Sequence, residues 1–539
     1  MFSVSSNDLS RERGALTGQT FATLCLAIFL FLSALVVWKA WQAADGHLIF
    51  TLDDPYIHLA VAETLLQGGY GVNFPETSSP SSSILYTLLL APFVALGIGP
   101  AGALGLSLAA QGAAVWLVAR LIWDHLLEAL PEGLRLPAGS GVALLMPLAL
   151  NGYGLPMTGM EHSIHLFATV LVMLGLHRTA ETDRVPFWLI PAILLAALVR
   201  FEGFALATAA IGALVWCRKG RSAALALLLL ALVTTFYAAA MHRLGLPPLP
   251  SSVMVKSGAS AAASEGHLLS VAINGLQDLN TSLMDRNGAV LALGCLLTGL
   301  LAVSPAVSRP GRLVAAVAAA ALGAHLMFGK FGWFGRYEPY AVALALVALT
   351  AAGGRALSTL RPVWAGPTVA LAVLGVVAVP FLTTAKDTPA ASRNIFEQQY
   401  QMHRFATEFF PRTVAVNDLG WVAYRNDGHV LDLWGLGSEE VRRATRSAGG
   451  LTPELIAELA DRKGAVYAMI YDRWFEGRVP PSWCRMAVLR TSLVTAGSDE
   501  VSFYLIDPAE APAMAGALAR FAPTLPAGAS LEVIPCPRP

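Results

Sequence analysis

Apolar residues run in long blocks through the first two thirds of the chain and then give way to a shorter, more broken texture. The blocks cover residues 21–38, 84–96, 101–123, 142–155, 162–176, 187–199, 205–216, 223–240, 290–303, 314–327, 340–352 and 363–382. A block near twenty residues crosses a hydrocarbon layer of about 30 Å as a helix. Several blocks are shorter, yet together they predict a polytopic α-helical membrane protein of about 10–12 transmembrane helices. From residue 386 charges become frequent and the apolar runs shrink to strand length. Residues 413–416, 429–433, 465–470, 486–489 and 501–506 predict strands. Residues 452–463 predict a helix between two of them, with Thr452-Pro453 as N-cap and first-turn proline and Gly464 as the stop. The chain thus divides into a transmembrane domain, residues 1–385, and an α/β domain, residues 386–539, of ordinary domain size.

Charge sets the expected orientation. The first block follows Arg11-Glu12-Arg13, exceeds the roughly 7–15 apolar residues of a cleaved signal peptide, and leads into no small-residue cleavage site. It predicts an uncleaved anchor with its N-terminus in the cytoplasm. Basic residues gather again at Arg218-Lys219-Gly220-Arg221, at Arg309 and Arg312, and between Arg355 and Arg361. The positive-inside tendency assigns those loops to the cytoplasm. Asp53-Asp54, residues 199–203, the loop around Lys256, the turn around Arg336 and the α/β tail are then expected on the extracytoplasmic face of a multi-pass protein of the cell inner (cytoplasmic) membrane. Three blocks separate Ser83 from Gly159, although both positions are expected outside. One of the three is therefore predicted to be re-entrant, half-length or peripheral.

Composition strengthens the membrane reading and removes some partners. Of 539 residues, 55% are hydrophobic and 13% charged, against roughly 25% charged in soluble domains. Mean hydropathy is +0.58. The 36 basic and 36 acidic side chains cancel, so no cationic surplus points to nucleic acid. Cys25, Cys217 and Cys295 lie in or beside apolar blocks, where a thiol is usually a small buried hydrophobe. Cys484 and Cys536 fall in the tail, where a disulfide and two separate thiols are equally compatible with the spacing.

The densest candidate chemistry follows the first block. Asp53-Asp54 precedes Pro55-Tyr56-Ile57-His58 and a segment ending at Gln67-Gly68-Gly69. Asp before Pro suits an N-cap and first-turn proline, which explains one aspartate and leaves the other. A carboxylate at a bilayer centre costs roughly 2.5–3.5 kcal/mol, so acids in membrane proteins gather where water and function need them. The hydroxyl-rich residues 71–83 read by themselves as a flexible connector.

The order of motifs resembles a family. Asp53-Asp54-Pro55-Tyr56-Ile57 after the first span, the glycines of 68–71 and Thr77-Ser78-Ser79-Pro80 look like integral-membrane glycosyltransferases of the GT-C superfamily. The nearest resemblance is to actinobacterial terminal arabinofuranosyltransferases. Gly159-Met160-Glu161, Arg200-Phe201-Glu202-Gly203, Arg336-Tyr337, Asn417-Asp418-Leu419-Gly420-Trp421 and Leu431-Asp432-Leu433-Trp434-Gly435-Leu436 resemble similarly placed motifs. The resemblance implies a GT-C-like membrane domain. It implies transfer of a sugar from a polyprenyl-phosphate donor to an envelope glycan or glycolipid acceptor on the extracytoplasmic face.

Within that expectation Asp53 is the predicted general base, with Asp54 as its substitute or partner. Arg336, Lys256 and Arg200 are the predicted cations for the donor phosphate, arginine being suited by its two-pronged geometry. Arg200 and Glu202 equally suit a mutually paired structural couple. His58, Tyr56, Glu161, His162, Glu202 and Tyr337 complete the predicted substrate-binding set. Asp53, Asp54 and Glu161 together would suit a hard divalent cation such as Mg, Mn or Ca, while paired carboxylates equally suit proton chemistry. Asn417-Asp418 and Asp432 end predicted strands, where ligand sites and helix caps both occur, and the tail is expected to bind the acceptor or act as a lid. A transporter or flippase of lipid-linked saccharides is the alternative. It would place its charges near the midplane on repeated halves, whereas here they crowd predicted outer ends. A non-catalytic receptor would need neither so many spans nor paired aspartates.

Overall fold

The computed structural model describes residues 17–256 and 268–536. The basic cluster Arg11-Glu12-Arg13 and the loop after Lys256, with the Lys256 side chain, lie outside the described residues. Among the described residues eight helices are long and apolar enough to cross a membrane, from Gly18–Ala43 onward, and three apolar helices are shorter: Tyr86–Ala95, Leu189–Val199 and Gly203–Trp216. The expected total of ten to twelve is reached only by counting the short ones. Of the three blocks between Ser83 and Gly159, only the second, Gly99–Leu127, is long and apolar enough to cross. Tyr86–Ala95 has 10 residues, about 15 Å of helix and half a hydrocarbon thickness.

Small residues let the helices approach closely. A Cβ on Gly203 would sit 1.9 Å from the Ala196 carbonyl oxygen, so Leu189–Val199 and Gly203–Trp216 fold against each other around Arg200-Phe201-Glu202. The last membrane helix, Ala365–Glu397, has 33 residues, about 50 Å. It passes through the expected boundary at residue 385 and carries the chain into the tail. There Asn394 Oδ1 accepts three backbone N–H bonds, from Val494, Thr495 and Ala496.

The tail is a six-stranded sheet with helices. Its strands are β1 (Val414–Val416), β2 (Val430–Asp432), β3 (Tyr467–Ile470), β4 (Cys484–Arg490), β5 (Glu500–Leu505) and β6 (Ser530–Val533), in the order β2-β1-β3-β5-β4-β6. β1 pairs in parallel with β2 and β3, and the remaining pairs are antiparallel. All five predicted strands are present within a residue or three of their expected limits, and β6 is additional. The predicted helix is Pro453–Lys463, capped by the Thr452 hydroxyl and ended by Gly464 in the left-handed region. Two further helices, Glu439–Ser447 and Ala511–Phe521, have too few apolar positions or too many alanines to stand out in the sequence. Cys484 and Cys536 form a disulfide that ties the segment after β6 to the start of β4.

Candidate functional site

Asp53 and Asp54 start the helix Asp54–Leu66, whose Pro55 fills the first turn. Neighbours in sequence, they face different surroundings. Asp53 is buried against the tail, its Oδ2 and Oδ1 accepting the backbone N–H groups of Gly420 and Trp421 at 2.6 and 2.8 Å. The approach requires glycine: a Cβ on Gly420 would lie 2.1 Å from the Asp53 carbonyl oxygen. Burial, then the charge of neighbouring Asp418, pushes the Asp53 carboxyl well above the usual carboxylate range. Burial also raises Asp418, against bonds from Gln399 and Tyr471.

Asp53 borders only the outer of two cavities, whereas Asp54 borders both. Its side chain is 23% exposed, and Oδ2 lies 2.6 Å from Nη2 of Arg336. It lines two cavities, of about 270 and 330 Å³, that share Asp54, Ile57, Lys330, Arg336, Tyr337 and Leu436. The first reaches in among the membrane helices, between Phe201, Ala205, Ala324 and Phe328. The second opens toward the tail, along Asn417, Asp418, Trp434 and Trp474.

Arg336 reaches this junction from an unusual turn. Gly332, Trp333, Phe334 and Gly335 all have positive φ, between 49° and 75°. For the two aromatic residues that conformation costs about 1–2 kcal/mol each, a strain that persists only where surroundings impose it. Here Glu338 accepts the Gly332 N–H at 2.6 Å and Asn151 Nδ2 donates to the Gly335 carbonyl at 2.8 Å. Arg336 is 2% exposed. Its Nη2 reaches Asp54 and the Tyr337 hydroxyl, while Nε and Nη1 have no hydrogen-bond partner among the described residues. Three of the five N–H donors of this buried guanidinium thus make no hydrogen bond among the described residues, an arrangement whose chemistry suits an anion.

Behind this wall lies a closed ion network. Arg200 donates from Nη1 to Glu161 at 2.9 Å, and from Nε and Nη2 to the two oxygens of Glu202 at 3.0 and 2.6 Å. Glu161, fully buried, also accepts from Ser82 at 2.9 Å and stands 3.6 Å from His58 Nε2, whose Nδ1 meets Ser81 at 3.0 Å. Residues 71–83 are therefore not a flexible connector. Ser78, Ser79, Ser81 and Ser83 are buried, and the Ser81 and Ser83 hydroxyls bond His58 and the Leu198 carbonyl.

Several predicted assignments change. Tyr56 borders neither cavity: it is buried, stacks 4.0 Å from Trp421, and accepts the Phe50 N–H at 2.9 Å. Glu161 and His162 also stand back from both cavities, Glu161 holding Arg200 and His162 edge-on to Tyr337. Arg200 borders the inner cavity with its guanidinium already matched by two carboxylates, so the paired reading of Arg200 and Glu202 fits better than phosphate binding. His58, Glu202 and Tyr337 do line the inner cavity. A divalent cation does not fit the expected carboxylates, because Asp53 turns to the tail, Asp54 to Arg336 and Glu161 to Arg200. Among the described residues no cluster of three or more His, Cys, Asp or Glu is placed to hold a metal.

Sequence reasoning missed Lys330, which borders both cavities and makes no ion pair among the described residues. A lysine two positions beyond an apolar helix reads as a snorkelling side chain; only its place on the same outer turn as Arg336 hinted at more. Gln399, Trp333 and Trp474 were missed too, since no motif marks them.

Residues 393–504 match a family described as a domain of unknown function (DUF8728). The match covers the end of the long helix and β1 to β5, and so the tail side of the second cavity. No curated protein matches the chain.

Proposed function

We propose that the protein is a GT-C-like membrane glycosyltransferase. It takes a sugar from a polyprenyl-phosphate donor and passes it to an envelope glycan or glycolipid. The tail and both cavities lie on the extracytoplasmic side of the inner membrane in this reading, where no nucleotide sugar is available and a lipid carrier can deliver the group.

The observation that carries the reading is the junction of the two cavities. A buried arginine whose Nε and Nη1 make no hydrogen bond among the described residues stands there beside a solvent-touched carboxylate and a lysine with no ion pair among them. In the inner cavity Arg336 and Lys330 take the donor phosphate while the polyprenyl chain lies along Phe201, Ala205 and Phe328. The acceptor hydroxyl enters from the outer cavity. Its oxygen attacks the anomeric carbon, the bond from that carbon to the phosphate oxygen breaks, and the electron pair leaves with the phosphate. The hydroxyl proton passes to Asp54, the general base. Products are the new glycosidic bond and free polyprenyl phosphate. Fixed cations aimed at the phosphate stabilise the charge that develops on it. Asp53, masked by the tail's amides, serves as the clasp that holds the tail over the site.

The test is mass spectrometry of envelope glycans and polyprenyl-phosphate sugars in cells with and without the protein. Accumulated donor together with a truncated glycan is the expected result. An unchanged pool of both would overturn the reading.

A further inference from the structure

The outer cavity holds chemistry that the transfer step does not use. Its tail wall is formed at the carboxyl ends of the parallel strands: Asn417 and Asp418 follow β1, Trp434 follows β2, and Trp474 follows β3. β1 lies between β2 and β3, so this is the point where the strand order reverses, the usual crevice for a ligand in such sheets. Trp434 and Trp474 stand with ring centroids 5.1 Å apart, and the exposed Trp333 faces the same space from the membrane side.

Two amides in that wall are incompletely satisfied. Asn417 is 3% exposed; its Oδ1 accepts the Tyr471 N–H at 2.8 Å and its Nδ2 has no partner among the described residues. Gln399 is 1% exposed; its Nε2 donates to Asp418 and the Tyr471 hydroxyl at 2.9 Å each and to Gln398 at 3.2 Å, and its Oε1 has no partner among the described residues. With the Thr495 hydroxyl, which also lacks a partner among the described residues, the tail wall offers one amide donor, one amide acceptor and a hydroxyl. A hydroxyl group, which both gives and accepts a hydrogen bond, satisfies the amide pair where a carbonyl or an ammonium would not. Indole faces carry negative charge and attract the C–H hydrogens of a sugar's less polar face. Asp53 and Asp418 on the tail side face Lys330 and Arg336 on the membrane side, so the charge of this cavity selects neither an anion nor a cation.

We propose that this cavity is the acceptor subsite. Its ligand is an uncharged sugar residue at the end of a glycan, stacked on Trp434 and Trp474 with its hydroxyls on Asn417 and Gln399. The assignment rests on the transferase reading and narrows it from any envelope acceptor to a neutral saccharide.

Saturation-transfer NMR on the full chain in detergent micelles tests it, with gluco-, manno-, galacto- and arabino-trisaccharides as probes. Wild type binds at least one of them. Trp434→Ala and Trp474→Ala each weaken that binding by roughly ten-fold, the scale of a truncated interface aromatic, and Trp434→Phe recovers most of it at an unchanged unfolding midpoint. Failure of wild type to bind any trisaccharide, undiminished binding by the alanine variants, or binding of a lipid alcohol or hydroxyl-rich peptide in their place overturns the proposal. The two readings fail separately. Tryptophan-dependent saccharide binding without transfer would sink the enzyme and keep the site. Transfer with a wild-type acceptor KM in both alanine variants would sink the site alone.

Discussion

Two adjacent aspartates face different partners because a helix begins between them. Asp53 still points back along the incoming chain, toward the amides of Gly420 and Trp421, whereas Asp54 is the first residue of the helix and turns to Arg336. The dipeptide itself marked the place but not the division of labour, since that depends on a partner 367 positions away. Asp54→Asn is expected to lower turnover by roughly 10²–10⁴-fold, the worth of a positioned base, with the unfolding midpoint kept. Asp53→Asn is expected to do the reverse, lowering the midpoint and sparing most of the turnover. Reconstituted transfer assays on both variants decide between them, and the opposite ranking would return Asp53 to the role of base. Asp432 offers a pH reading at the same scale. Burial pushes it up to about 6, against bonds from the Gly437 and Trp434 N–H groups. Because its folded value exceeds the roughly 3.9 of an unfolded aspartate, its contribution is fully present below that value and is lost as pH rises through about 6. The loss amounts to about 3 kcal/mol. Asn at this position abolishes the titration, so the midpoint gap between wild type and Asp432→Asn should narrow from pH 4 to pH 7. A constant gap would refute it.

At the level of elements, periodicity and length were readable and close contact was not. Most apolar blocks located their helices to within a few residues, though Glu132–Ala149 starts ten residues before its block and Ala365–Glu397 ends fifteen after its own. Thr452, Pro453 and Gly464 marked both ends of a tail helix through local chemistry alone. Residues 71–83 misled, because serine-rich composition describes solvation and says nothing of a Glu161 or a His58 waiting to be bonded. The left-handed run at 332–335 was equally hidden, as only its two glycines advertise such backbone. The short helix Gly420–Ala423 meets Asp53 only because residue 420 lacks a side chain. Gly420→Ala is expected to cost about 1–3 kcal/mol, as for an overfilled core. Gly212→Ala, where an added Cβ meets nothing within 4 Å of a helix, should be neutral or gain up to about 1 kcal/mol. Thermal unfolding of the two variants makes the comparison, and equal effects would contradict the packing described.

Across the whole molecule, membrane body and tail are joined at several places that composition could not disclose. The helix Ala365–Glu397 leads from one into the other, Asn73 exchanges two hydrogen bonds of 2.9 Å with Val430 on β2, and Lys463 reaches Glu76 at 2.6 Å. Texture in the sequence separated the halves near residue 385 and gave no hint of this traffic, since each contact pairs residues hundreds of positions apart. The family match at 393–504 includes Asp418 and Trp434 but none of the membrane-side partners Asp54, Lys330 and Arg336. What assembles the junction is the docking of one half upon the other.

The partition between the two chambers is a single layer made of Asp54, Arg336, Lys330 and their neighbours. Each guest therefore completes the container of the other, and neither has to vacate before its counterpart arrives. Initial rates measured against both substrates should give intersecting reciprocal lines, the mark of a ternary complex. Parallel lines would mean that the sugar rests on the protein between two separate visits, and the shared partition would then have to be a gate.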